Sequence, residues 1–252
     1  MQMPDKKGLP QPAPALHFGK RDLNDRLRGM RGMAWAYAVL YHTGLTAYGA
    51  SKRFTHPSRA RLNAAGNVVV SNNFYQYLRG DRGPDAGPRG KNRFDLGAAV
   101  SRDPRSRAAA FWLDHDLFKV FSPDVAPAWI IERWEAVSEP FLNRLFLIDP
   151  EEPSDEDLLD YQGRGLELNS FDEFVSLCAA LRAGHMSGWY VHHDGAWRLI
   201  NAFQVRAAQL EPSFAYIRRP FLRMVREFFY VSIARRRAMS AAFALKHPDG
   251  AS

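Results

Sequence analysis

Residues 33–51 run for nineteen positions without an Asp, Glu, Lys or Arg. A stretch that long and uncharged has to be shielded from water, either in a bilayer or in a protein core. His42, Gly44, Gly49 and two threonines interrupt it, whereas a bilayer span needs roughly 20 predominantly apolar residues. The pattern favours a buried helix followed by a turn, and no membrane partner. Leu23, Leu27, Met30, Ala34, Tyr37 and Tyr41 draw one apolar face at helical spacing. A helix from about residue 20 to 41 is therefore expected. Gly29 and Gly32 weaken it by roughly 1 kcal/mol each relative to Ala, and Gly44 is a plausible stop.

The same reading carried along the chain gives a mainly α fold, as helical domain(s) with one small β-hairpin near residues 189–200. The hairpin rests on Asp194-Gly195 between apolar runs, a strong short-range turn signal. Ser170, with Glu173 three residues on, predicts a capping box opening a helix over 171–183, ended by Gly184. Further helices are expected over 72–79, 94–101, 107–121, 127–137 and 220–245. Prolines 4, 10, 12 and 14 mark 1–18 as a flexible tail. A basic helical domain over 19–148, an acidic linker or loop over 149–165 and a C-terminal helical region over 166–252, packing on the first, complete the expected organisation.

Charge is sorted along this chain. Residues 20–107 hold 17 Lys/Arg against 6 Asp/Glu, residues 108–182 hold 5 against 16, and residues 183–252 hold 10 against 4. The net charge is +7 and the pI about 9.7. Basic blocks of this kind point first to an anionic polymer. The one cysteine, Cys178, excludes an intramolecular disulfide and a Cys-based zinc site. It sits at helical spacing with Phe174 and Leu181 and reads as a small core residue. Residues 1–19 lack the apolar core of a secretory signal, so a cytoplasmic location is expected.

The candidate interface is Ser71–Arg93. Its first half places Asn72, Asn73, Gln76 and Arg79 on a short helix, and such side chains can read base edges in a major groove. Tyr75 and Tyr77 add stacking surfaces. Its second half is a Gly-rich loop with Arg82, Arg89, Lys91 and Arg93, able to follow a phosphate backbone. The run Tyr77–Pro84 resembles the end of the recognition helix and the following turn in phage-repressor-type helix-turn-helix proteins. The likeness is local, and Asn67–Val70 departs from the helix and turn that precede it there. Residues 52–61 and a C-terminal arginine face, Arg219, Arg223 and Arg226, are expected to assist.

His115 with Asp114 and Asp116, and His192-His193 with Asp194, are the clusters from which catalysis or metal binding would have to come. Asp114, His115 and Asp116 fall in an expected helix, where neighbours diverge by about 100°, and His192-His193-Asp194 fall at the expected hairpin tip, where residues alternate faces, so neither cluster converges on one ion by itself. The sequence carries no Walker-type loop, dinucleotide fingerprint, nucleophile elbow or His-Glu-x-x-His. The expected function is therefore non-enzymatic nucleic-acid binding, with double-stranded DNA favoured, no cofactor and no metal. Two other functions stay open. One is an adaptor or scaffold subunit that pairs with a protein, or with itself, through the acidic region 149–160. The other is a metal-dependent enzyme acting on nucleic acid.

Overall fold

A computed structural model describes residues 23–54, 61–62, 68–69, 73–81, 83, 100, 102–146 and 165–230. The tail over 1–18 and residues 149–164 of the expected acidic connection lie outside the described residues. So do the helix expected over 94–99 and the end of the one expected over 220–245. The chain divides into two compact units. The first is Met1–Phe118 with Pro212–Pro220, and the second is Lys119–Glu211 with Phe221–Ser252.

The first unit is organised by helix α1, Leu23–Thr43. Every residue from Gly32 to Leu40 is buried. The first half of the uncharged segment is thus enclosed by protein, whereas His42, Gly44, Thr46 and Tyr48 in its second half are exposed. Among the described residues no helix is long and apolar enough to cross a membrane. Helices α2, Ala47–Phe54, and α3, Asn73–Leu78, pack on α1, as does a 3₁₀ helix over Arg107–Trp112. Val68–Val69 (β2) pairs antiparallel with Arg61–Leu62 (β1).

Gly29 explains how α3 ends against α1. A Cβ built on it would stand 2.5 Å from the carbonyl oxygen of Gly80, which has φ +68° in the turn after α3. Alanine at 29 would gain up to about 1 kcal/mol of helix propensity. Intrusion into a backbone carbonyl is the larger effect, at about 1–3 kcal/mol. Gly29→Ala is therefore expected to destabilise. Gly49 in α2 provides the contrast, because its added Cβ meets only ordinary contacts at 3.4 Å and beyond. Its amide donates to Thr46 Oγ1 at 3.1 Å in the capped first turn, and alanine leaves that bond in place. Gly49→Ala should stabilise by about 0.5–1 kcal/mol. Urea midpoints of the two variants, moving in opposite directions, test both statements.

The second unit contains the end of α4, Asp116–Val120, then α5, Pro127–Glu135, and α6, Glu139–Phe146. These are followed by α7, Phe171–Ser187, and α8, Tyr190–Leu210. Helix α7 is its core, with Phe174–Leu181 buried without a break and Cys178 fully enclosed. Burial pushes the Cys178 thiol well above its ordinary pKa, so it packs as a hydrophobe and is a poor nucleophile. The capping box is present, with Ser170 Oγ accepting from the Glu173 amide at 3.1 Å and Glu173 Oε2 accepting from the Ser170 amide at 3.2 Å.

Two expectations are corrected here. Gly184 does not end α7. The helix runs on to Ser187, and Gly188, at φ 75°, closes it. Nor is there a hairpin at 189–200, because those residues form the first half of α8. Ala196, Leu199, Ile200, Phe203 and Ala207 are all buried, and they recur at i, i+3, i+4, i+7 and i+11. That stripe packs on α7 and outweighs a dipeptide whose helix penalty is only about 1 kcal/mol at the glycine.

Helix α9, Pro212–Val225, contributes Pro212–Pro220 to the first unit and the remainder to the second. Pro220 is interior to it and does not open it. A π-helical turn, Arg226–Tyr230, follows.

Candidate nucleic-acid interface

Helix α3 is short because only one face has a partner. Phe74, Tyr77 and Leu78 are buried. Trp35 of α1 meets Tyr77 edge-on at 5.3 Å and Phe74 at 5.9 Å. Tyr77, expected as a stacking surface, is therefore core. Tyr75 is on the outer side and exposed, and Gln76 is half-buried. Arg79 is exposed and sits 3.0 Å from Asp81, a surface pair of little energetic weight. Asn73 opens the helix. Asn72, Arg82, Arg89, Lys91 and Arg93 lie outside the described residues.

Arg219, Arg223 and Arg226 are all exposed, and none makes an ion pair among the described residues. Arg219 belongs to the first unit and the other two to the second.

The structure also assembles a basic corner that the linear pattern hid. Helix α2 ends on Lys52 and Arg53. Arg53 Nε donates to Asp103 Oδ2 at 2.7 Å, and its Nη2 stands 2.5 Å from the same oxygen. The Arg105 amide donates to Asp103 Oδ1 at 2.9 Å, and the Arg107 amide donates to the Asp103 carbonyl at 2.9 Å. Ser106 Oγ donates to the Val100 carbonyl at 2.7 Å and holds the turn from inside. The Arg105 amide above all keeps the Asp103 carboxyl below its ordinary pKa, against the opposing push of desolvation and with the Arg53 guanidinium assisting. Lys52, next to Arg53, and Arg102, Arg105 and Arg107, on the turn that Asp103 holds, are all exposed and without an ion pair among the described residues. In sequence, Arg102-Asp103-Pro104-Arg105 reads as a break between helices. Fifty residues separate the two halves of the cluster, and no local pattern links them.

The histidines divide between the units. His115, in the first, is buried, with Trp112 at 5.0 Å and Phe111 at 4.2 Å. Its Nδ1 accepts the Leu117 amide at 3.0 Å, which is the work of a helix cap. His192 and His193 are buried in the second unit on α8. Among the described residues no group of three or more His, Cys, Asp or Glu is arranged to hold a metal ion.

Trp134 stands 4.8 Å from the His192 ring and Trp189 stands 6.3 Å from it. Burial, and then neighbouring His193, hold His192 below its ordinary pKa of 6.5. The unfolded chain therefore binds this proton more readily than the folded one. The stability contributed by neutral His192 is complete above about pH 6.5 and is lost as pH falls below it, at no more than about 1.4 kcal/mol per pH unit. The urea midpoint should drop on acidification from about pH 7 to 5, and a His192→Gln variant should show a flatter dependence.

No protein-family model, curated protein or solved structure matches this chain.

Proposed function

We propose that the protein binds nucleic acid without catalysing a reaction on it, that double-stranded DNA is the favoured form, and that it does so in the cytoplasm. The observation that carries this reading is the basic corner of the first unit. Lys52 and Arg53 end α2, and Arg53 ties that end through Asp103 to the turn that carries Arg102, Arg105 and Arg107. Backbone hydrogen bonds fix the turn that presents three of these arginines. A cluster in which exposed cations outnumber the one carboxylate that Arg53 engages is the arrangement that phosphates satisfy, through bidentate contacts and release of condensed counterions. Tyr75 and Arg79 on α3, which packs on α2 in the same unit, supply further outward-facing groups of the right chemistry. Contacts of this kind position a protein on a duplex, and base reading falls to the segment around α3.

The test is a fluorescence-polarisation titration against double-stranded DNA, single-stranded DNA and RNA of mixed sequence at several salt concentrations. The expected result is binding to duplex DNA whose log affinity falls linearly with log salt. Binding to none of the three at low salt would sink the reading.

A further inference from the structure

Resting on the nucleic-acid reading of the basic corner, we infer that Asp103, an acidic residue of that corner, is a positioning residue for the binding of duplex DNA. By holding Arg53 it fixes the end of α2 against the turn that carries Arg102, Arg105 and Arg107. Removing its negative charge should therefore weaken the binding of a polyanion.

Every oxygen of Asp103 is engaged. Oδ2 accepts from Arg53 Nε at 2.7 Å and stands 2.5 Å from Arg53 Nη2. Oδ1 accepts from the Arg105 amide at 2.9 Å. The carbonyl accepts from the Ser106 amide at 3.0 Å and the Arg107 amide at 2.9 Å. The side chain thus reaches across to α2 while the backbone winds its own turn. That turn has a second anchor, since Ser106 is fully buried and its Oγ donates to the Val100 carbonyl at 2.7 Å. On the α2 side, the Arg53 guanidinium carbon stands 5.9 Å from the centre of the buried Phe54 ring.

An isolated ion pair in water adds little to stability. Asp103 is more enclosed than its partner, with a side chain 12% exposed against 42% for Arg53. A planar guanidinium aiming two nitrogens at one carboxylate also has a narrow range of geometries. What the pair fixes is the spacing between Lys52–Arg53 and the arginines of the turn. Binding a phosphate backbone with long, free side chains loses roughly two- to tenfold in affinity for each one that has to be immobilised. A tethered α2 presents its cations at a spacing already set by the fold, and part of that loss disappears. Charge alone makes the opposite prediction. Removing a carboxylate about 7 Å from a phosphate in water should tighten binding by roughly two- to threefold.

The test is the affinity of the full chain for duplex DNA as a function of salt, read by fluorescence polarisation. Asp103→Asn keeps an oxygen for the Arg105 amide and loses the charge that holds Arg53. The expected result is binding about three- to tenfold weaker than wild type, with a shallower salt slope, despite the higher net charge. Asp103→Glu restores the charge and should recover part of the affinity. In an Arg53→Met background, Asp103→Asn should no longer weaken binding, because the residue through which it acts is gone. A general loss of folding has no such dependence on residue 53, and urea midpoints follow folding in each variant. Unchanged or tighter binding by Asp103→Asn, or an equal loss in the Arg53→Met background, overturns the inference and leaves the nucleic-acid reading standing. No binding by the wild type at low salt overturns both. Asp103→Ser, whose hydroxyl can accept from the Arg105 amide, carries the same expectation if Asp103→Asn fails to fold.

Discussion

Replacing Trp35 by alanine is expected to destabilise the first unit by about 3–5 kcal/mol, the range for removing a fully buried aromatic side chain. The indole is fully buried and forms the floor on which α3 rests, through Tyr77 at 5.3 Å and Phe74 at 5.9 Å. Deleting it removes both ring contacts and leaves a cavity amid the buried stretch Gly32–Leu40 of α1. Trp35→Phe separates packing from polarity. Trp35 Nε1 is buried without a hydrogen-bond partner among the described residues, and burying such a group costs about 1–3 kcal/mol. Phenylalanine sheds that penalty while losing part of the contact area, so its net effect should be at least about 2 kcal/mol milder than that of alanine. Urea denaturation followed by circular dichroism measures both variants. A loss below about 1 kcal/mol for Trp35→Ala would mean that the indole is not close-packed. Because α3 displays Tyr75 and Arg79, DNA affinity should fall with Trp35→Ala even though residue 35 touches no ligand.

The triple variant Arg102→Ala/Arg105→Ala/Arg107→Ala is expected to reduce the slope of log affinity against log salt by about 2–3, because each phosphate contact contributes roughly 0.9. At about 0.1 M salt the same relation predicts a loss of roughly 10²–10³ in affinity for duplex DNA. Stability should change little, since all three side chains are exposed and the turn is held by Asp103 and Ser106. Arg79→Ala is the internal control. Its guanidinium already pairs with Asp81, so it should move the slope by less than any single member of the triple. An unchanged slope in the triple variant would remove the basic corner from the interface and leave the exposed Arg219, Arg223 and Arg226 to be tested in the same way.

Much of the helical framework was legible because it depends on neighbours in the chain. The uncharged run at 33–51 demanded burial, and its residues up to Leu40 are buried in α1. Ser170 and Glu173 lie three apart, and a capping box requires nothing further. The hairpin expectation shows the limit of such reasoning. Asp194-Gly195 is a turn signal only if the flanking residues prefer strands, and the apolar stripe of α8 was already present at 196, 199, 200, 203 and 207. Gly184 illustrates the same limit from the other side. Its sequence context reads as a stop, yet its role is to let α8 approach α7, a relation that no local window contains.

The candidate sites divide along the same line. Charge sorting pointed to an anionic partner and to α3, because net charge and residue type are properties of the chain alone. The basic corner and the Arg182–Phe229 contact depended on residues remote in sequence. Arg53 meets Asp103 fifty positions away, and Arg182 reaches Phe229 from another helix. The amino-acid sequence by itself determined much of the helical framework, α1 and the capping box of α7 among it, through local propensity and periodicity, and its sorted charge carries the expectation of an anionic partner. Only the tertiary structure decided which cations share a surface and which buried polar atoms lack a partner, because burial and Coulomb interactions depend on distance in space.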